Sequence, residues 1–95
     1  MSHTTVSVTE SERAEILSRY FEGTKLKELP AREKRKLVVL ERLAQGFEAG
    51  RRYSEKEVNE IIQRSHGDCA AIRRYLVHYG FMDREPGGGP YWLEE

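Results

Sequence analysis

The sequence predicts a mainly α-helical domain with a small β-hairpin, and three observations point to this fold class. Capping-box spacings begin amphipathic stretches at Thr9 and at Ser54. A His66-Gly67 pair ends the second of these stretches, and another run with helical periodicity follows it. The glycine-rich segment 86–90 separates two short apolar segments, a pattern typical of a hairpin.

The first two helices are predicted at residues 9–21 and 31–45. Apolar residues recur at helical spacing in the first, and Gly23 follows its end. The segment 25–30 between the helices is expected to be extended, because its final proline disfavours helix at the preceding residue. The second helix is apolar on most sides over 37–40, which indicates that it lies at the centre of the domain.

The order of the remaining elements suggests a more specific fold. A short extended link at 51–53 precedes a helix at 54–65, and the tight break then leads to a helix at 69–79 with Asp68 as its N-cap. The hairpin around 86–90 follows. Helix, short strand, helix, tight turn, helix and hairpin is the order of a winged helix-turn-helix, here with the first predicted helix as an addition.

Length and charge limit the classes of protein that fit. With 95 residues the chain supports one core, so we expect a single domain over 9–95 after a flexible tail at 1–8. Its 16 Lys and Arg residues balance 16 Asp and Glu residues, but the basic ones are in excess over 24–64. This local excess of basic residues is a weak indication of nucleic-acid binding, and it is also typical of an ordinary solvent-exposed helix face.

The sequence does not predict an enzyme, a membrane protein or a secreted protein. It contains no phosphate loop, no nucleophile elbow and no histidine pair with metal-ligand spacing, so we expect no cofactor and no metal. The first residues lack the regions of a signal peptide, and no apolar run is long enough to span a membrane. The single cysteine, Cys69, cannot form an internal disulfide, so we expect a cytoplasmic protein; a thiol sensor is the least supported alternative.

Candidate base-reading residues lie on the helix after the break, which a helix-turn-helix places in the major groove of DNA. If its apolar stripe faces inward, Arg74 points outward with His78 beside it and Arg73 on a flank. An outward arginine among small residues can read guanine through two hydrogen bonds. The alternative is an ordinary solvated Arg74 and an ion pair from Arg73 to Glu57 or Glu60.

Candidate phosphate-binding residues are Arg51, Arg52 and Lys56, around the start of the helix at 54–65. Lys56 lies where free backbone N–H groups and a positive charge together favour a phosphate. The alternative for the two arginines is a structural role, for example with Arg52 paired to a carboxylate. The loop at 86–90 carries no basic residue, although tips of DNA-reading wings normally do, and Arg84 is the only base nearby.

Two functions therefore remain open at the level of sequence. The first is binding of double-stranded DNA by a transcriptional regulator or its accessory module, with two copies paired through the helix at 9–21. The second is a protein–protein interaction module that has the same fold and does not touch DNA. The balanced net charge and the base-free loop favour this second interpretation.

A family resemblance extends over about three quarters of the chain. It rests on the motifs LKELP at 26–30, RRYSEKEVN at 51–59, IRRYLV at 72–77, the Tyr79-Gly80 pair and the Tyr91-Trp92 pair. These segments are similar to the bacterial DUF2087 family, a domain of unknown function. The resemblance implies a link to gene regulation, because members of this family occur alone or joined to the DNA-binding domains of transcriptional regulators.

Overall fold

The computed structural model describes residues 8–87 and 89–94, which form four helices and two small antiparallel sheets. The mainly helical fold with a β-hairpin, predicted from the sequence, is confirmed. Of the predicted tail at 1–8, residues 1–7 lie outside the described residues, and Val8 is partly buried against the core. In chain order the elements are α1 (Glu10–Tyr20), β1 (Phe21–Glu22), β2 (Lys25–Leu26), α2 (Glu33–Ala44), α3 (Glu55–Gln63), α4 (Cys69–His78), β3 (Met82–Arg84) and β4 (Tyr91–Leu93).

Both predicted capping boxes form. The Thr9 hydroxyl accepts a hydrogen bond from the Glu12 N–H at 3.0 Å, and the Glu12 carboxylate accepts one from the Thr9 N–H at 3.1 Å. At the start of α3, the Ser54 hydroxyl accepts from the Glu57 N–H at 3.1 Å and the Glu57 carboxylate accepts from the Ser54 N–H at 2.8 Å. Each box satisfies two backbone donors that the first turn of a helix leaves unpaired, and a cap of this kind stabilises a helix by about 1 kcal/mol.

The box at α3 makes stability depend on pH. The hydrogen bond from the Ser54 backbone holds the pKa of Glu57 below its ordinary value. A lowered folded-state pKa means that the stabilisation is complete above the ordinary glutamate pKa and is lost as pH falls through the lowered one. We expect the free energy of unfolding to fall less between about pH 7 and about pH 3 in Glu57→Gln than in the wild type.

Urea denaturation at the two pH values measures this difference. Glu60→Gln, on the same helix, is the matched control, since Glu60 has no hydrogen-bond or ion-pair partner within 8–87 and 89–94. An equal loss of stability in Glu57→Gln and the wild type would show that Glu57 does not contribute to the pH dependence of stability.

A small hairpin that the sequence pattern does not predict follows α1. Phe21 was expected to end the first helix, but its backbone is extended and pairs with Leu26 across the β1–β2 ribbon. The turn uses Gly23 at φ 65°, a left-handed conformation that glycine adopts without strain. The Leu26 N–H donates to the Ser65 carbonyl at 2.9 Å, so the hairpin is attached to the end of α3.

The core surrounds α2, as its apolar run predicts. The four residues at 37–40 are all buried, and α2 packs against both α1 and α4. Ile16 of α1 is buried on this side, and Arg13 forms an ion pair with Glu41 of α2. Since α1 directs its apolar side into its own domain, pairing of two copies through residues 9–21 would use the opposite side of α1, and it stays a prediction.

The segment before α3 is tied to the last strand. Tyr53 and Tyr91 exchange two backbone hydrogen bonds, of 2.8 Å and 2.7 Å, and form an isolated antiparallel bridge. Strand β4 also pairs with β3, with Arg84 opposite Tyr91. The predicted link at 51–53 therefore contributes a third strand position beside the hairpin, and this places the start of α3 next to β3 and β4.

Candidate nucleic-acid interface

A cationic cavity lies where α4, the start of α3 and the hairpin meet. Its volume is about 340 Å³. We call it the α4 cavity, and it is lined by Glu55, Arg73, Arg74, Val77, His78, Arg84 and Tyr91. Three arginines and a histidine thus face a space with a single carboxylate among its described lining residues. The structure brings together three residues predicted to face DNA, namely Arg74, Arg73 and His78.

Burial of one side of α4 determines which residues reach this cavity. Cys69, Ile72 and Leu76 are buried, as the helical periodicity predicts. Arg74 and His78 are consequently exposed on the other side of the helix. Within residues 8–87 and 89–94, the Arg74 side chain has no ion pair and no hydrogen bond.

Arg73 is held within the protein. Its side chain is only 19% exposed, its guanidinium donates a hydrogen bond to the Asn59 side-chain oxygen, and it lies 3.8 Å from a carboxylate oxygen of Glu55. The ion pair that the sequence offered as the alternative for Arg73 therefore forms, but its partner is Glu55 and not Glu57 or Glu60. The cavity's carboxylate is already paired, which leaves the charges of Arg74 and Arg84 available to a ligand.

Removal of Arg73 is expected to destabilise the domain. Arg73→Leu would leave the Asn59 acceptor without its donor at the α3–α4 contact, at a cost of about 1–3 kcal/mol in free energy of unfolding. The neighbouring Arg74→Leu is the matched control, and an exposed side chain without partners should change stability by less than about 0.5 kcal/mol. Urea denaturation of both variants measures the difference, and equal stabilities would show that the Asn59 contact does not contribute.

The predicted phosphate-binding arginines are engaged on the surface. Arg51 lies 3.5 Å from Glu57, and its guanidinium lies 4.8 Å from the centre of the Tyr53 ring. Arg52 lies 3.6 Å from a carboxylate oxygen of Glu85 on the hairpin side. Their side chains are 52% and 60% exposed, and exposed ion pairs of this kind contribute about 0–1 kcal/mol. Both arginines can therefore exchange a carboxylate for a phosphate at little cost.

Two further basic residues are Lys56 and Arg84, and of these only Arg84 is among the described lining residues of the α4 cavity. Lys56 is exposed on the first turn of α3, with no ion pair within the described ranges. Arg84 lies on β3 and was not among the DNA contacts predicted from the sequence. Alternation along β3 is a partial signal for Arg84, because it is two residues from the buried Met82 and therefore lies on the same face of the strand.

The cluster of His66, Asp68 and Cys69 builds the turn between α3 and α4. The His66 Nδ1 accepts a hydrogen bond from the Asp68 N–H at 3.0 Å, and the Asp68 carboxylate accepts one from the Ala71 N–H at 3.3 Å. Cys69 is buried. Among the residues that the structure describes, no three His, Cys, Asp or Glu side chains are grouped so that they would hold a metal ion. No helix in the described ranges has the length and apolar character needed to cross a membrane.

Comparison with models of protein families gives a match. A family model described as "Uncharacterized protein conserved in bacteria (DUF2087)" matches residues 25–93, which run from β2 to the last residue of β4 and include every residue lining the α4 cavity. No curated protein and no solved structure matches the chain. The matched segment covers well over half of the sequence, and the chain therefore belongs to the bacterial DUF2087 family.

Proposed function

We propose that the protein binds double-stranded DNA as a winged helix-turn-helix transcriptional regulator or as an accessory module of one. In this proposal α4 is the recognition helix and the β3–β4 hairpin is the wing. The order of elements supports it, and so does the pairing of Tyr53 with Tyr91, which places a short strand segment beside the hairpin.

The main support for the proposal is the excess of positive charge among the described residues that line the α4 cavity. Arg74 and Arg84 lie on its wall without ion-pair partners among the described residues, and Glu55 is already paired with Arg73. A concave surface with unpaired guanidinium groups attracts anions, and the closely spaced phosphates of double-stranded DNA are anions of this kind.

The residues have different roles in this proposal. Arg74 contacts base edges, with His78 and Arg73 beside it, because these side chains lie on the part of α4 that borders the α4 cavity. Four surface cations hold phosphates on the flanks. These are Arg51, Arg52, Lys56 and Arg84.

Titration of a labelled duplex across salt concentrations tests the proposal. Four phosphate contacts predict that the logarithm of the association constant falls against the logarithm of salt concentration with a slope of about −3.6. Fluorescence anisotropy of a duplex of about 20 base pairs between about 50 and 200 mM salt measures this slope. Absence of saturable binding at the lowest salt would refute the proposal.

A specific observation also favours a second function, a protein-interaction module that does not bind DNA. Three of the six predicted contact residues, Arg51, Arg52 and Arg73, each lie within 4 Å of a glutamate carboxylate. These pairs reduce the positive field around α4. The same titration separates the two functions, because an interaction module gives no steep dependence of duplex binding on salt.

A further inference from the structure

A second cavity lies between the β1–β2 hairpin and the C-terminal turns of α2 and α3, whereas the α4 cavity borders the start of α3. Its volume is about 240 Å³. We call it the α2–α3 cavity, and it is lined by Phe21, Gly23, Thr24, Arg42, Leu43, Gln45, Gly46, Ile61, Ile62, Arg64 and Ser65. It shares no lining residue with the α4 cavity.

The α2–α3 cavity has an apolar wall and a cationic edge. Leu43 is buried, and Phe21 and Ile61 are only partly buried, so their rings and methyl groups border the empty space. Arg42 and Arg64 are exposed residues of the same lining. This distribution, apolar inside with charge at the entrance, suits a ligand that is apolar at one end and charged at the other.

The described charged residues that line the α2–α3 cavity are all basic. No carboxylate occurs among the described lining residues, although the chain has as many acidic as basic residues. The α4 cavity, in contrast, includes Glu55. The Arg42 guanidinium donates to the Gln45 side-chain oxygen at 3.0 Å, and the Arg64 side chain has no hydrogen bond and no ion pair within 8–87 and 89–94. A guanidinium without a carboxylate partner is well suited to bind one from a ligand.

The helix ends do not cancel this positive charge. The C-terminal ends of α2 and α3 each carry a partial charge of about −0.5, which one arginine at each end more than offsets. The carbonyls of both last turns also have backbone donors, such as the Gly46 N–H to the Leu43 carbonyl at 3.1 Å and the Ser65 N–H to the Ile62 carbonyl at 2.9 Å. Two guanidinium groups therefore leave a net positive edge.

We propose that the α2–α3 cavity binds a small carboxylic acid with an apolar body. The carboxylate accepts hydrogen bonds from Arg64 and Arg42, and the body packs on Phe21, Leu43 and Ile61. The cavity is smaller than most ligand pockets, which span about 300–1,000 Å³, so the acid is of the size of benzoate and not of a long-chain lipid. This site is independent of DNA binding, since none of its residues is proposed to contact DNA.

Titration of the full chain with benzoate tests the proposal, followed by the backbone amide shifts of ¹⁵N-labelled protein. We expect saturable binding with a Kd of about 1 mM or tighter, and the largest shifts at Gly23, Gly46 and Ser65. Benzamide has the same shape without the charge and should bind at least about tenfold more weakly. Equal binding of benzoate and benzamide, or shifts confined to the α4 cavity, would overturn the proposal.

Two variants test whether Arg64 binds the carboxylate of benzoate. Arg64→Gln should weaken benzoate binding about tenfold, because it removes a charge-assisted hydrogen-bond donor. Arg32→Gln, at the other end of α2, should leave binding unchanged and is the matched control. If both variants bind benzoate as the wild type does, the assigned site is wrong.

A third variant tests the cavity by its shape. A Cβ at position 46 would lie 3.4 Å from the Ile61 side chain and 3.3 Å from the Leu43 carbonyl oxygen, so Gly46→Ala narrows the space. It should weaken benzoate binding while the amide spectrum shows a folded protein. A folded Gly46→Ala variant with wild-type affinity would contradict binding inside the cavity.

Discussion

Replacement of Leu76 by alanine is expected to lower the free energy of unfolding by about 2–5 kcal/mol, more than the loss expected for Arg73→Leu. Leu76 is fully buried on the inward side of α4, and its carbonyl accepts a hydrogen bond from the Phe81 N–H at 2.9 Å. The substitution leaves a cavity in the core on the buried side of α4. Since domains of this size have stabilities near 5–15 kcal/mol, the variant approaches the limit of folding.

Urea denaturation followed by circular dichroism measures this loss. The matched control is Val77→Ala, the next residue on α4, because Val77 is only partly buried and lines the α4 cavity. Its loss should be less than half that of Leu76→Ala. Comparable losses at the two positions would mean that α4 does not bury the side that the structure assigns to the core.

The largest functional effect is expected at Arg74. If Arg74 reads a base, Arg74→Ala should weaken binding to a preferred sequence by about 1–3 kcal/mol, or about 5- to 150-fold, and should relax specificity at one position of the site. Its side chain is exposed on the wall of the α4 cavity without a partner among the described residues, so the change should leave the fold intact. The preferred sequence is obtained by selection from a random duplex library, and affinity is then measured by anisotropy.

The contrast with Lys56 makes this prediction specific. Lys56→Ala removes a phosphate contact, so it should weaken binding to all sequences by a similar factor and reduce the salt slope by about 1. Arg74→Lys retains the charge but loses the planar fork, and it should therefore resemble Arg74→Ala in specificity and the wild type in salt dependence. Uniform weakening in Arg74→Ala would assign Arg74 to a phosphate and remove it from base recognition.

Local patterns in the sequence were sufficient to predict the helices and the exposure of Arg74. Thr9 and Ser54 form the capping boxes that their spacing to a glutamate predicts. The burial of Ile72 and Leu76 follows from a period of 3.6 residues, and the outward position of Arg74 follows from the same period. These features depend on residues within one or two turns of each other.

Features that depend on distant segments were not predicted. The β1–β2 hairpin has two residues in each strand, too few for an alternating pattern, and Phe21 continues the helical spacing of α1. The partner of Arg73 depends on how α4 crosses α3, and this crossing selects Glu55 and Asn59 over Glu57 and Glu60. Alternation along β3 places Arg84 on the face of Met82, but whether this face borders the α4 cavity depends on where β3 lies relative to α4.

The bridge between Tyr53 and Tyr91 has a consequence for synthesis in the cell. Tyr53 is buried, and its backbone N–H and carbonyl both form hydrogen bonds with Tyr91 of β4, which lies 38 positions later in the sequence. Because a nascent chain emerges from the ribosome in order, α1, α2 and α3 leave the exit tunnel before the strand that pairs with Tyr53. The nascent domain therefore exposes part of its apolar surface until β4 has emerged, and chaperones that bind such surface can act in that interval.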